Sequence, residues 1–484
     1  MGRCFALVMS STSAPGVRAI GFLLSAIATA IAASLLSPMH AAAQGVTGYL
    51  GSDVQLVEMQ PVAPVAGACG GGVPCFEALD EARSIVGTQT LSLTGWGFGI
   101  RGLSATVLVR ARARLGSAFP WPRADDQFDA LLGYAQLVRG RLTVRAGRQE
   151  IRSGLGFPSF DGASLSWARP RLRAAAYGGR SLARGLREPV NEALRGIEDF
   201  LPDQGVYLFG GSLQTDLPTA AVTARYQGEI LADRSGLASE RASLDASTAV
   251  AGARLLGSLD YDFAFARIGK GRLTLMAPLG SGRWIVEASA RRYVPYFSLS
   301  TIWGFFEPVS YQEAEVRVGW SPRADLGLSA SGGWRWYGDT GATVVLEPLQ
   351  DEGRRAELDV TWRLAGAWAA SMSYRLEWGP GGFLSSGSGA VRWGVSEDLS
   401  VSASVMSFQQ IEEFRLSDGR ALGGGVSVDA GLTERISLTG GLSALRHSDA
   451  GEGVASPWSQ MRAWSSLRVR LGQDPGLANR GSRR

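Results

Sequence analysis

The sequence has almost no lysine. Lys270 is the single one, so arginine supplies nearly all of the 48 basic side chains, and the lysine-rich surface usual in soluble domains of this length is missing. Histidine is nearly absent too, occurring only as His40 and His447 in 484 residues. A histidine-based nucleophilic or metal centre therefore has little to draw on. His447 beside Ser448 is read as an exposed loop residue, with half of a hydrolytic pair as the remote alternative. No phosphate-cradling or dinucleotide motif occurs. No cofactor, metal or enzymatic activity is expected. The net charge of only +4 gives no nucleic-acid footprint.

Cysteine is scarce as well. Cys4 lies in the leader, which leaves Cys69 and Cys75 around the spacer GGGVP. That spacing suits a small disulfide ring in an oxidising compartment and makes a poor zinc site, because no second pair accompanies it. Long apolar runs are missing after residues 19–36. Arg3 and Arg18 precede or open that run, and Ala41-Ala42-Ala43 offers a small-residue cleavage site. Residues 1–43 are thus predicted to be a signal peptide, a retained membrane helix being the competing reading. Residues 44–472 remain as one domain, with 473–484 as a basic tail.

What is abundant is alternation with period two. In residues 355–364, Arg355, Glu357, Asp359, Thr361 and Arg363 share one face of an extended chain, and Ala356, Leu358, Val360, Trp362 and Leu364 share the other. Glu313, Glu315 and Arg317 oppose Ala314, Val316 and Val318 in the same way. So do Arg110, Arg112 and Arg114 against Val109, Ala111 and Ala113. These runs approach the length of about ten residues that crosses a bilayer at a tilt.

A soluble sandwich also alternates, and the tryptophans separate the two cases. Trp320, Trp362 and Trp393 lie on the apolar face just before short polar turns, whereas Trp334 and Trp336 lie on that face at the opposite strand end. Aromatics at both ends with small aliphatics between them form the girdles of a membrane barrel. Short links at 97–102, 139–141, 169–171, 321–326, 394–398 and 431–435 alternate with long ones at 61–87, 116–127, 180–205, 232–244, 294–309, 339–353 and 447–457. One link, 269–271, is short where a long one is due. The prediction is an all-β, antiparallel up-and-down transmembrane barrel of about 22 strands, with about 18 as the lower bound.

The stretch 142–180 is the most specific. Its Gly147-Arg148-Gln149, Phe160-Asp161-Gly162 and Tyr177-Gly178-Gly179 are similar to the GRQ…FDG…YGG run of porin-like and alginate-export-like barrels of Gram-negative outer membranes. The resemblance covers under a tenth of the chain. It implies a passive channel or an export pore and names no substrate. Such barrels often end on an aromatic residue, whereas here the last strand runs into GQDPGLANRGSRR.

If the apolar faces meet lipid, the lumen carries Arg110, Arg112, Arg114, Arg145, Arg171, Arg173, Arg317, Arg355 and Arg363 with Glu313, Glu315, Glu357 and Asp359. Cross-strand ion pairs and an anion-favouring field are both open readings. Arg110, Arg112 and Arg114 are the expected unpaired lining, since no acid shares their strand. The loop 180–205 is the expected constriction. Pro189 starts a short helix there, and Glu192, Glu198 and Asp199 face the wall arginines. The leading expectation is a channel for small solutes, anionic ones favoured. The alternative is a sheath or export conduit around a periplasmic or secreted partner, such as an electron-transfer protein; an outer-membrane hydrolase is a remote third. Outer-membrane lipids and the barrel-assembly machinery complete the expected partners.

Overall fold

The computed structural model describes residues 45–59, 62–65, 75–78, 81–114, 127–156, 158–182, 205–232, 236–280, 282–294, 310–338, 352–364, 366–379, 382–413, 419–449 and 458–472. The leader, the tail, Cys69 and residues 183–204, with Glu192, Glu198 and Asp199, lie outside them; of Cys75 only the backbone is described.

The alternating segments pair in chain order into one antiparallel sheet of 22 strands. The first strand, Gly45–Met59, pairs with Ala82–Trp96 on one side and with the last strand, Trp458–Gly472, on the other. The sheet is therefore closed and has no free edge to template aggregation. A separate small hairpin, Val62–Val65 with Cys75–Ala78, sits between the first two barrel strands. With strands about 4.8 Å apart and tilted as in other barrels, the ring is roughly 40 Å across between backbones. No helix among the described residues is long and apolar enough to cross a membrane. The strands, of 9 to 15 residues, do that work.

At one end every connection is brief: 97–102, 140–141, 170–171, 217–219, 251–252, 280–283, 324–325, 364–367, 395–398 and 432–435. Both Gly45 and Gly472 lie at this end. The other end carries the longer links, though not uniformly. The expected link at 269–271 is inside the strand Arg267–Leu279, and the chain turns instead at 263–266. The link expected at 232–244 shrinks to 232–236, because Leu237–Val250 is a strand. Polar alternation through Ser239, Arg241 and Ser243 looks like loop composition, yet it is the inward half of a strand. For the same reason His447 is not a loop residue: it lies in Ile436–Asp449, facing Ala421 and Trp458 across the ladder.

The interior is inverted relative to a soluble core. Among the described residues, buried polar and charged side chains outnumber buried apolar ones, while Leu358, Val316 and Val405 stand 45 %, 51 % and 62 % exposed. An apolar face left open on a ring this wide has to meet hydrocarbon. Trp320 stacks on Trp284 at 5.1 Å and Trp393 on Trp368 at 5.3 Å, both at the short-turn end. Trp334 and Trp336 stack at 6.5 Å at the other end. Trp362 stands with the first group, 41 % exposed. These are two belts of amphipathic rings, one at each boundary.

Candidate functional site

The site is the inner wall, and its chemistry follows from cross-strand register. Arg291, Glu313 and Arg335 face one another on three adjacent strands. Glu313, whose side chain is 3 % exposed, accepts from Arg291 at 2.9 Å and from Arg335 at 2.8 Å, and lies 3.4 Å from Arg355. Arg335 reaches on to Glu377 at 2.8 Å, and Arg355 pairs with Glu315. Below them Arg375 meets Glu357 at 3.2 Å, and Arg317 lies 3.8 Å from both Glu357 and Asp359. Each acid thus lies against at least one arginine from a strand one or two places away. A guanidinium fork spans the strand spacing and fixes register while staying charged. The predicted residues Glu313, Glu315, Arg317, Arg355, Glu357 and Asp359 are brought together in this lattice. Arg363 lies on the same wall at the short-turn end of its strand.

Other predicted positions come out differently. Arg110 and Arg112 are not unpaired: both hold Asp129 of the next strand, at 2.8 and 3.2 Å. Arg114 also has an interaction partner. Same-strand reasoning missed this because the acid comes from Gln127–Arg139, and a register shift at Leu108/Val109 slides Asp129 opposite Arg110. Arg171 is in the turn 170–171, outside the wall. Arg173 lies 3.9 Å from Asp216 near that end. Arg145 donates to Gln136 at 2.6 Å and sits over Tyr134, with no acid paired to it among the described residues.

Charge is unevenly spread around the ring. From the last strand through Leu142–Glu150, six neighbouring strands turn Arg462, Arg468, Arg470, Arg110, Arg112, Arg114 and Arg145 inward. Against them stand only Asp53 and Asp129 among the described residues. Next to this basic arc lies a nearly neutral wall of small side chains, in rows such as Ser402, Ser427 and Gly441 or Ser404, Gly425 and Ser443.

One feature was not read from the sequence. Residues 151–156 and Pro158 form a tight hairpin, closed by Ile151 N–H to Pro158 O at 3.1 Å and by paired bonds between Ser153 and Gly156. It folds inward and reaches strands well beyond its own neighbours. Arg241 donates to the Leu155 carbonyl at 3.1 Å and to Asp260 at 3.0 Å, and Gly154 lies against Arg225, Ser243 and Asp245. Arg225 itself pairs with Asp245. Between anchor and tip, Phe160 and Leu208 are sealed to 0 % and 1 % exposure. Phe160 stacks on Tyr177 at 5.7 Å, and Tyr177 donates to Gln227 at 3.2 Å. The hairpin covers part of the lumen wall.

The conspicuous GRQ and FDG triplets are the root of this hairpin. Gly147 faces Gly162, Arg148 faces Asp161, and Gln149 faces Phe160. Arg148 holds Asp161 through two bonds of 2.7 Å, and Gln149 accepts from Ser164 at 2.6 Å. Gly147 has φ +121°, and a Cβ there would stand 2.3 Å from the Gly133 carbonyl, so glycine is required.

No protein-family model and no curated protein sequence matches the chain. Among solved structures, a ferric enterobactin receptor from Pseudomonas aeruginosa aligns with a TM-score of 0.54 at 12% identity, over 87% of this chain and 81% of that one. The chain is a transmembrane β-barrel of the outer-membrane type. A BenF-like porin from Pseudomonas fluorescens aligns with this barrel over 89% of the present chain and 100% of its own, at 11% identity and a TM-score of 0.43. OpdK of Pseudomonas aeruginosa gives the same coverage and score at 9% identity. At 12% identity the likeness to the receptor is one of fold alone.

Proposed function

We infer that the barrel is a channel in the outer membrane of a Gram-negative bacterium, through which small solutes pass passively, anions ahead of cations. One observation carries this reading: six neighbouring strands turn seven arginines inward against two acids among the described residues, beside a nearly neutral wall. Fixed guanidinium groups on a water-filled wall raise the local anion concentration and repel cations. The barrel-assembly machinery is the partner that would insert it.

Purified protein in a planar bilayer is expected to conduct and to show an anion-favouring reversal potential in a salt gradient. Replacing Arg110, Arg112 and Arg114 together with Gln should move that potential toward zero. An unchanged potential would remove the selectivity claim. The width of 22 strands favours one other reading, a conduit that houses a partner, since barrels of this size often enclose a plug. Very large conductance in the isolated protein, with no dependence on solute size, would select it.

A further inference from the structure

The lipid face carries a groove with a cationic rim. Across five adjacent strands one outward row reads Leu273, Ala290, Ala314, Trp334 and Arg354. The row beside it toward the longer links reads Gly271, Arg292, Gln312, Trp336 and Glu352. The small side chains of Ala288, Ala290, Ala314 and Gly332 leave a depression of 770 Å³ between Leu273 and Leu275 on one flank and Val316 and Trp334 on the other. Those flanking residues are 36–53 % exposed and face hydrocarbon. At the girdle the depression ends at Arg354, whose guanidinium carbon lies 3.9 Å from the centre of the Trp334 ring.

Neither Arg292 nor Arg354 has a carboxylate partner among the described residues. Glu352, the one acid of the two rows, accepts from the Trp334 indole at 3.2 Å. A guanidinium at a hydrocarbon boundary is costly unless an anion satisfies it, and phosphate matches its fork. Three strand spacings, roughly 14 Å, separate the two arginines. That is within the compass of one lipid headgroup region above one acyl chain.

We propose that this groove holds a phosphate-bearing anionic lipid, its acyl chain along Ala290 and Ala314 and its phosphate on Arg354, with Arg292 as the second contact. Apolar complementarity seats the chain, and charge complementarity selects the headgroup. The site is independent of what the lumen carries.

The test is native mass spectrometry of the delipidated, detergent-solubilised barrel, titrated with phosphatidylglycerol or with phosphatidylcholine of the same acyl chains. Wild type is expected to retain one phosphatidylglycerol with a preference of about tenfold, equivalent to about 1.4 kcal/mol. R292Q/R354Q should bind both lipids alike, and A314F, which fills the groove without touching charge, should retain less of either. Heat-dependent electrophoretic mobility checks that each variant is folded. Equal retention of the two lipids by wild type, an unchanged preference in R292Q/R354Q, or protein dimers in place of lipid adducts would overturn the proposal.

Discussion

Replacing Glu313 with alanine is expected to destabilise the folded barrel by about 2–4 kcal/mol, the largest loss for any single wall residue. Removing one member of a buried ionic cluster strands the others, at a cost of about 3–5 kcal/mol in a dry interior. The lumen contains water, and Arg291 is 36 % exposed on its side chain, so part of that cost is relieved. Arg335 and Arg355 are less fortunate, at 17 % and 20 %. They would be left close together, sharing Glu315 and Glu377 alone. Urea titration of the barrel folded into lipid vesicles measures the loss directly. Glu313→Gln, which keeps shape and one acceptor, should recover part of it. A cost below about 0.5 kcal/mol for the alanine variant would mean that the lattice is surface decoration.

The second large effect concerns the inward hairpin. Joining Glu150 to Ser159 through an Asn-Gly turn removes the segment while preserving the Arg148–Asp161 clamp at its root. Single-channel conductance is then expected to rise by about a factor of two or more, because the narrowest cross-section dominates the resistance of a pore. Arg225 and Arg241 would lose their contacts with Gly154 and Leu155 and become accessible to passing anions. Anion preference should therefore grow as conductance grows. Two unrelated effects would separate; a shared cause predicts that they move together. Unaltered conductance in a folded variant would show that the hairpin lies aside from the solute path.

The fold was legible because each strand repeats the same two-faced pattern and because tryptophan marks where the faces end. Trp320 and Trp334 sit at opposite girdles for reasons of amphipathy that need no tertiary information. The lattice around Glu313 was half legible. The charges announced an inward face, but which carboxylate meets which guanidinium depends on register, and register is set by turns and bulges. Arg110 illustrates the gap: nothing on its own strand predicts Asp129, since the pairing arises only after the shift at Leu108/Val109. The hairpin escaped for a different reason. Attention to length favoured residues 180–205, whereas the segment 151–158 is short and unremarkable in composition. Its partners, Arg225 and Arg241, lie on strands distant in sequence. A possible cue was its position between two glycine-bearing triplets, Gly147-Arg148-Gln149 and Phe160-Asp161-Gly162, since paired close-approach glycines mark a place where backbones must come together.

The inward charged wall and the outward lipid groove both require that the aliphatic face of each strand meets lipid. Single cysteines placed in a background lacking Cys69 and Cys75 at positions 356, 357, 358 and 359, each carrying an environment-sensitive fluorophore, test it in nitroxide-lipid bilayers. The expected result is alternation: strong quenching at Ala356 and Leu358, weak quenching at Glu357 and Asp359. Uniform quenching, or quenching at Glu357 and Asp359 instead, would contradict an inward charged wall.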